Sequence, residues 1–278
     1  MKKILDRIFV DGLSGMAQGL FATLIIGTII QQIGTFAGGN IGDMIYLIGK
    51  MAAGLTGAGI GAGVARKLDA GHLVIVSAAV AGMIGAFAGS LRAGTLLSDG
   101  SLVLSGPGEP LGAFVAAYIA IELGILVSGK TRLDIILTPL VCIGAGSAVG
   151  LLVGPPISGF MAWLGSLINW GTEQQPFLMG IVVSVLMGMI LTLPISSAAL
   201  GVILNLSGLA AGAATIGCCC NMIGFAVASW RENKFSGFLA QGIGTSMLQV
   251  PNIVRHPLIW LPAIFSSAIL GPVGTMLF

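Results

Sequence analysis

The stretch that decides the fold runs from Gln174 to Trp230, QQPFLMGIVVSVLMGMILTLPISSAALGVILNLSGLAAGAATIGCCCNMIGFAVASW, without a single Asp, Glu, Lys, Arg or His. A membrane-spanning helix needs roughly 20 consecutive apolar residues, so this run is long enough for more than one crossing. Pro194, Ser196 and Ser197 interrupt it at its middle, and Asn205, Ser207 and Gly208 interrupt it again. Irregular backbone at membrane depth is tolerated only where it lines a cavity or is buried in protein. Short, broken or re-entrant helices are therefore expected in the C-terminal half, which becomes the expected functional core.

Working outward, further charge-free runs extend from Gly12 to Gly42, Leu73 to Leu91, Ile135 to Thr172, Phe235 to Val254 and His256 to Phe278. Hydrophobic residues make up 56% of the chain and charged residues 8%, with a mean hydropathy of +1.04. Soluble domains carry about 25% charged residues, so a soluble fold lacks the charges to cover its surface. The expected fold class is all-α, a polytopic transmembrane helix bundle of about 8–10 membrane segments, forming one integral membrane domain over residues 1–278. A loose similarity of Gly19–Ile30 to Phe177–Ile190 raises inverted halves, 1–153 and 154–278, as a weak repeat.

Spans are expected near Val10–Gly34, Ile41–Val64, Leu73–Leu91, Leu111–Val127 and Leu133–Val153, followed by an interfacial segment from Gly154 to Gln175 that holds Trp163 and Trp170. The first of these reads as a retained helix and not a signal peptide, because its apolar part exceeds the usual h-region and more spans follow. Basic residues cluster in alternate connections: Lys2, Lys3 and Arg7, then Arg66 and Lys67, then Lys130 and Arg132, then Arg231 and Lys234. By the positive-inside rule the N-terminus is cytoplasmic, and Pro176 to Trp230 must make an odd number of crossings. The lipid bilayer is the first partner, and the expected location is a bacterial cytoplasmic membrane.

Net charge is +2, with the basic residues scattered in short groups, so nothing points to nucleic acid. Cys142, Cys218, Cys219 and Cys220 lack the spaced pairs of a zinc site or a disulfide framework. No cofactor and no metal are expected. No self-contained catalytic set is legible either, since Gly-x-Ser-x-Gly and His-rich metal motifs are missing.

The segments GPGEPLGAF (Gly106 to Phe114), TEQQPFLMG (Thr172 to Gly180), TLPISSAA (Thr192 to Ala199), GCCCNMIGFAVAS (Gly217 to Ser229) and QGIGTSMLQVPNIV (Gln241 to Val254) resemble one family over nearly the whole chain. They are similar to the phosphotransferase-system enzyme IIC-like membrane proteins that include the perfringolysin O regulator. That resemblance implies a sugar-transporting permease subunit served by separate soluble IIA and IIB proteins, with phosphotransfer only through those partners. Relatives tend to continue with another Gly-rich segment past the position of Phe278. Glu109 in Gly-Pro-Gly-Glu-Pro also looks like the Gly-x-x-Glu-Pro element in which glucose-type members place a substrate-binding glutamate.

Candidate solute contacts follow from polar groups beside helix breaks. Gln241, Thr245, Ser246, Gln249 and Asn252 supply donors and acceptors next to Pro251, with Arg255 and His256 behind them. Glu173 and Gln175 precede Pro176, where the Glu173 carboxylate either meets sugar hydroxyls or caps the following helix. Ser196, Ser197 and Asn221 lie in charge-free sequence, where an unpaired polar group is costly. The substrate set is thus Glu109, Glu173, Gln175, Ser196, Ser197, Asn221, Gln241, Thr245, Gln249, Asn252 and His256.

Structural ion pairs are expected for Asp43 with Lys50 and for Asp11 with Arg7, and a basic partner near the cytoplasmic surface for Glu122. Transport of a small polar solute is the leading function, in a homo-oligomer expected to be a dimer. The alternatives are a membrane sensor that regulates gene expression, and a carrier of a more apolar ligand lined by Met179, Met187 and Met189.

Overall fold

A computed structural model describes residues 6–98, 101–104, 106–193, 206 and 208–277. The chain divides into two compact units, Met1–Ser158 and Gly159–Phe278. Apart from a two-residue β-hairpin (β1, Leu97–Ser98; β2, Ser101–Leu102), the regular structure described is helical. The Pro194 to Ser207 interruptions fall almost wholly outside the described residues.

In the first unit, helix α1 (Arg7–Ala37) carries two π-turns, Arg7–Gly12 and Phe21–Ile25. It is followed by α2 (Gly39–Gly54), α3 (Thr56–Lys67), α4 (His72–Ala86), the short α5 (Ala88–Arg92) and α6 (Pro110–Val127). Helix α7 (Asp134–Thr172) closes the unit and continues beyond it. α2 and α3 form a bent apolar pair, with an angle of 52° at Leu55. The segment after Val153, expected to be an interfacial or partly inserted helix, is helical and forms the second part of α7.

Glycine decides which helices touch. A Cβ added at Gly15 would sit 2.6 Å from the Gly63 carbonyl oxygen, and one at Gly57 would sit 2.8 Å from that of Gly82. Gly19 meets Gly59, Gly61 meets Ala78, and Gly85 meets Gly112 in the same way. Backbones approach this closely because lipid tails supply no hydrophobic drive between helices, which leaves van der Waals packing to do it. The contact order makes α1 antiparallel to α3, α3 to α4, and α4 to α6.

Those directions bring Arg7, the turn after Lys67 and the loop after Val127 to one end of the unit, where a Cβ at Gly71 would lie 3.9 Å from Ser128 Oγ. Three of the four basic segments expected on one side of a membrane, those of this unit, thus share an end. Arg7 Nε bonds Glu122 Oε1 at 2.7 Å, so the basic partner expected for Glu122 is present. The expected Arg7–Asp11 pair is absent, since a carboxylate on an otherwise apolar helix gains more from the guanidinium. Asp43 and Lys50 do not pair either; two helical turns separate them by about 10 Å.

The second unit is built on α8 (Pro176–Thr192), α9 (Gly208–Ala228) and α12 (Leu261–Leu277), with α10 (Trp230–Leu239) and α11 (Val250–Arg255) between the last two. Gly217 lies against Ser184, and Asn221 against Gly188, so α8 and α9 run in the same direction. Gly180 meets Pro272 and Gly224 meets Ala263, which sets α12 antiparallel to both. Helix α8 stops at Thr192 because Leu193, next to Pro194, is held in an extended conformation (ψ 161°).

Among the described residues five helices are long and apolar enough to cross a membrane, up to six if the bent pair is one span, and α4 and α8 are shorter apolar helices. This is an all-α polytopic bundle.

Gly217→Ala drives a methyl into the Ser184 backbone, whereas Gly212 on the same helix faces open space. The first change should destabilise by about 1–3 kcal/mol, and Gly212→Ala should be neutral or mildly stabilising. Thermal unfolding of the purified variants checks the contrast.

Candidate functional site

The candidate site grows from the break after α9. Ser229 ends that helix, and α10 follows with a kink at Lys234, whose φ is +51°. The π-turn Ala240–Gly244 then runs back along α9, with Gly242 against Ile223 and Ala226. Thr245 is extended, and its hydroxyl accepts the Met247 amide at 3.1 Å, capping the 3₁₀ turn Ser246–Gln249. Pro251 at the start of α11 suits a position whose amide would have no partner. Residues 240–249 thus form a hairpin that dips to the level of Asn221 and Thr192 and turns back.

Two hydrogen-bonded sets hold this hairpin. In the first, Ser246 Oγ and Thr192 Oγ1 are 2.8 Å apart and fully buried. Thr192 also lies 3.3 Å from Asn221 Oδ1, which accepts the Trp260 indole N–H at 3.1 Å. The Asn221 amide donates to the Gly217 carbonyl and to Ser267 Oγ, both at 3.2 Å. Ser184 Oγ donates to the Ser267 carbonyl at 2.7 Å. Both donors and the acceptor of Asn221 are occupied by protein, so it ties α8, α9 and α12 together and has nothing left for a solute.

The second set is a relay of amides. Asn252 Nδ2 donates to Gln249 Oε1, Gln249 Nε2 to Gln241 Oε1, and Gln241 Nε2 to Ser229 Oγ, each at 2.8 Å. Gln241 and Gln249 are buried, while Asn252 is exposed at the end of the relay. Its carboxamide oxygen and second N–H have no protein partner among the described residues. All of these groups are neutral, and among the described residues no cluster of three His, Cys, Asp or Glu side chains stands ready for a metal.

The remaining candidates fall elsewhere. Glu173 and Gln175 are exposed at the start of α8, about 25 Å along its axis from Thr192. Gln175 takes the cap position with no side-chain bond, so Glu173 does not cap this helix; Pro176 has already removed one of the amides it would bind. His256 is exposed after α11. Ser196 and Ser197 lie outside the described residues. Met179 and Met187 are core residues packed with Ile168 and Val183.

Glu109 belongs to the first unit and caps α6. Its amide donates to the Ala86 carbonyl at 2.8 Å, pinning it beside the end of α4. Burial pushes its carboxyl up from the ordinary 4.5 to about 7, and a long bond from the Leu111 amide at 3.4 Å only partly opposes this.

The sequence marks Gln241, Thr245, Gln249 and Asn252 as candidates by their density beside a proline. It carries no signal for their bonding neighbours Ser184, Thr192, Ser229, Trp260 and Ser267, because a lone hydroxyl or indole in an apolar helix reads as ordinary packing.

The family model for "Phosphotransferase system, EIIC" matches residues 10–277. No curated protein matches the chain. No solved structure matches it either.

Two outcomes follow from these bonds. Asn221→Leu strands the Trp260 N–H, and a polar group left unpaired inside the protein costs about 1–3 kcal/mol, so the melting temperature should drop while Gln175→Leu leaves it unchanged. For Glu109, the folded chain keeps a proton that the unfolded chain releases between pH 4.5 and about 7. Its favourable contribution is complete below pH 4.5 and is lost as pH rises through that window. Melting curves of Glu109→Gln should lack that part of the pH dependence.

Proposed function

The chain belongs to the phosphotransferase-system EIIC family, and from that membership in a membrane-transport family we propose that it is a permease subunit for a small, neutral, polyhydroxylated solute, a sugar. The observation that carries this reading is the amide relay from Ser229 to Asn252, buried at Gln241 and Gln249 and open at Asn252. A sugar entering an apolar bundle must exchange water for fixed donors and acceptors, and an amide offers both within one side chain. Asn252 is the contact residue of this reading, with Gln249 and Gln241 holding its orientation. Thr245 and Ser246 shape the hairpin tip.

Neutrality of the relay favours an uncharged solute over a sugar acid or an amino sugar, because a buried charge without a counter-charge is far more costly than a hydroxyl. The parallel course of α8 and α9 supports the odd number of crossings expected of Pro176 to Trp230. Soluble IIA and IIB proteins are the partners of this reading, supplying the phosphoryl group from the cytoplasmic face of a bacterial membrane.

Binding of neutral sugars, amino sugars and sugar acids to the purified chain, followed by calorimetry, tests the proposal. Asn252→Ala and Gln249→Ala should weaken binding of the preferred neutral sugar about 5- to 150-fold, whereas Glu173→Gln should change it less than about twofold. Unaltered binding in both amide variants, with melting temperatures retained, would move the site away from the hairpin.

A further inference from the structure

The second unit carries its charges unevenly. Between residues 159 and 278 the Asp, Glu, Lys and Arg side chains are Glu173, Arg231, Glu232, Lys234 and Arg255. Glu173 precedes the start of α8 and Arg231 follows the end of α9, so the parallel course of those helices sets them at opposite ends. Arg255 joins the Arg231 end, because the relay ties Asn252 back to Ser229. By the positive-inside rule that end faces the cytoplasm, where the partner proteins of our reading deliver phosphoryl groups.

The relay itself points at Arg255. Gln249, Asn252 and Arg255 follow one another in three-residue steps, and residues three apart on a helix are neighbours. Val250, Pro251 and Ile253 are buried, which leaves Asn252 and Arg255 exposed on the outer side of α11. Arg255 has no ion-pair partner among the described residues. The order is neutral and buried at Gln241 and Gln249, neutral and open at Asn252, then charged and open at Arg255. A ligand that reaches Asn252 thus meets an amide first and a guanidinium one turn further on.

A guanidinium keeps its charge at every physiological pH and presents its donors as a fixed fork, which matches two oxygens of a phosphate. A neutral sugar gives that fork little to hold. The phosphate ester of the same sugar suits both groups, with its hydroxyls on the amide and its phosphate on the fork.

We propose that Arg255 is the phosphate-binding half of the solute site, so that this end of the unit holds the terminal phosphate ester of the solute before release. The inference rests on the relay being the solute contact, and it adds a ligand class, a polyhydroxylated solute bearing one phosphate. A phospholipid headgroup offers Arg255 the same chemistry, and the test separates the two.

Calorimetry on the purified full chain, without partner proteins, compares glucose, mannose, fructose, mannitol and galactitol, each free and as its terminal phosphate ester. The solute whose binding falls in Asn252→Ala should also bind as its ester, with an affinity that drops as salt is raised. Arg255→Gln should weaken the ester about tenfold or more, because hydrogen bonds to charged groups are the stronger ones. The free solute should change less than about twofold in that variant. Arg255→Lys should keep part of the ester affinity, and Arg231→Gln should leave both ligands unaltered, with melting temperatures confirming that each variant folds. An ester that binds Arg255→Gln as tightly as the unaltered chain overturns the proposal, as does a panel in which no ester binds. Free solutes that all ignore Asn252→Ala would instead sink the reading of the relay, and the proposal with it. Nanodiscs of phosphatidylcholine or of phosphatidylglycerol provide the last arm: ester binding abolished only by phosphatidylglycerol would assign Arg255 to a lipid headgroup and overturn the proposal.

Discussion

Direct contact between helix backbones is the constraint on which the rest of this structure depends. Where Gly15 meets Gly63, Gly61 meets Ala78, or Gly217 meets Ser184, there is no room for even a methyl group. In an apolar surround this closeness substitutes for the hydrophobic drive that holds soluble cores together. It also leaves little space for water, so a polar side chain between such helices must find its partner in the protein. The exposed apolar residues elsewhere on the chain follow the same logic, since lipid accepts them at no cost.

The polar groups of the second unit obey that demand in two different ways. Around Asn221 the bonding is closed: carbonyl, hydroxyl, indole and carboxamide satisfy one another, and the result is a fixed junction of α8, α9 and α12. Along Gln241, Gln249 and Asn252 it is open at one end, so the chain of amides finishes in groups that face outward. A structural polar cluster and a recognition surface are distinguished here by counting free donors and acceptors, and residue type alone does not separate them. Asn221 and Asn252 carry the same side chain and have opposite uses.

Charged groups divide along similar lines. Glu122 is neutralised by Arg7 across 115 residues of chain, which joins the beginning of the first unit to α6. Glu109 stays in a buried cap, where the nearest help is a single distant amide, and it keeps its proton to near-neutral pH. Asp43 and Lys50 stand exposed on α2. Each carboxylate occurs in a short polar interruption of apolar sequence, and its environment is set by what the helices bring beside it.

Much of this was determined by the sequence alone. Apolar run lengths dictate helices and a membrane, because backbone amides in lipid can be satisfied only within a helix or a closed barrel. Prolines at positions 110, 176, 251 and 257 mark helix starts since they lack the amide a helix interior needs, and the density of amides beside Pro251 marks the hairpin. The basic clusters at Arg7, Lys67 and Lys130 were legible as one end of a bundle by their alternation. Tertiary structure decided the rest. Only packing shows that α8 and α9 run the same way, that Glu122 takes Arg7 while Asp11 does not, and that Glu173 stands some 25 Å along α8 from the hairpin contact it was expected to share. These outcomes rest on which surfaces meet across tens of residues, and local pattern carries no information about distance between segments.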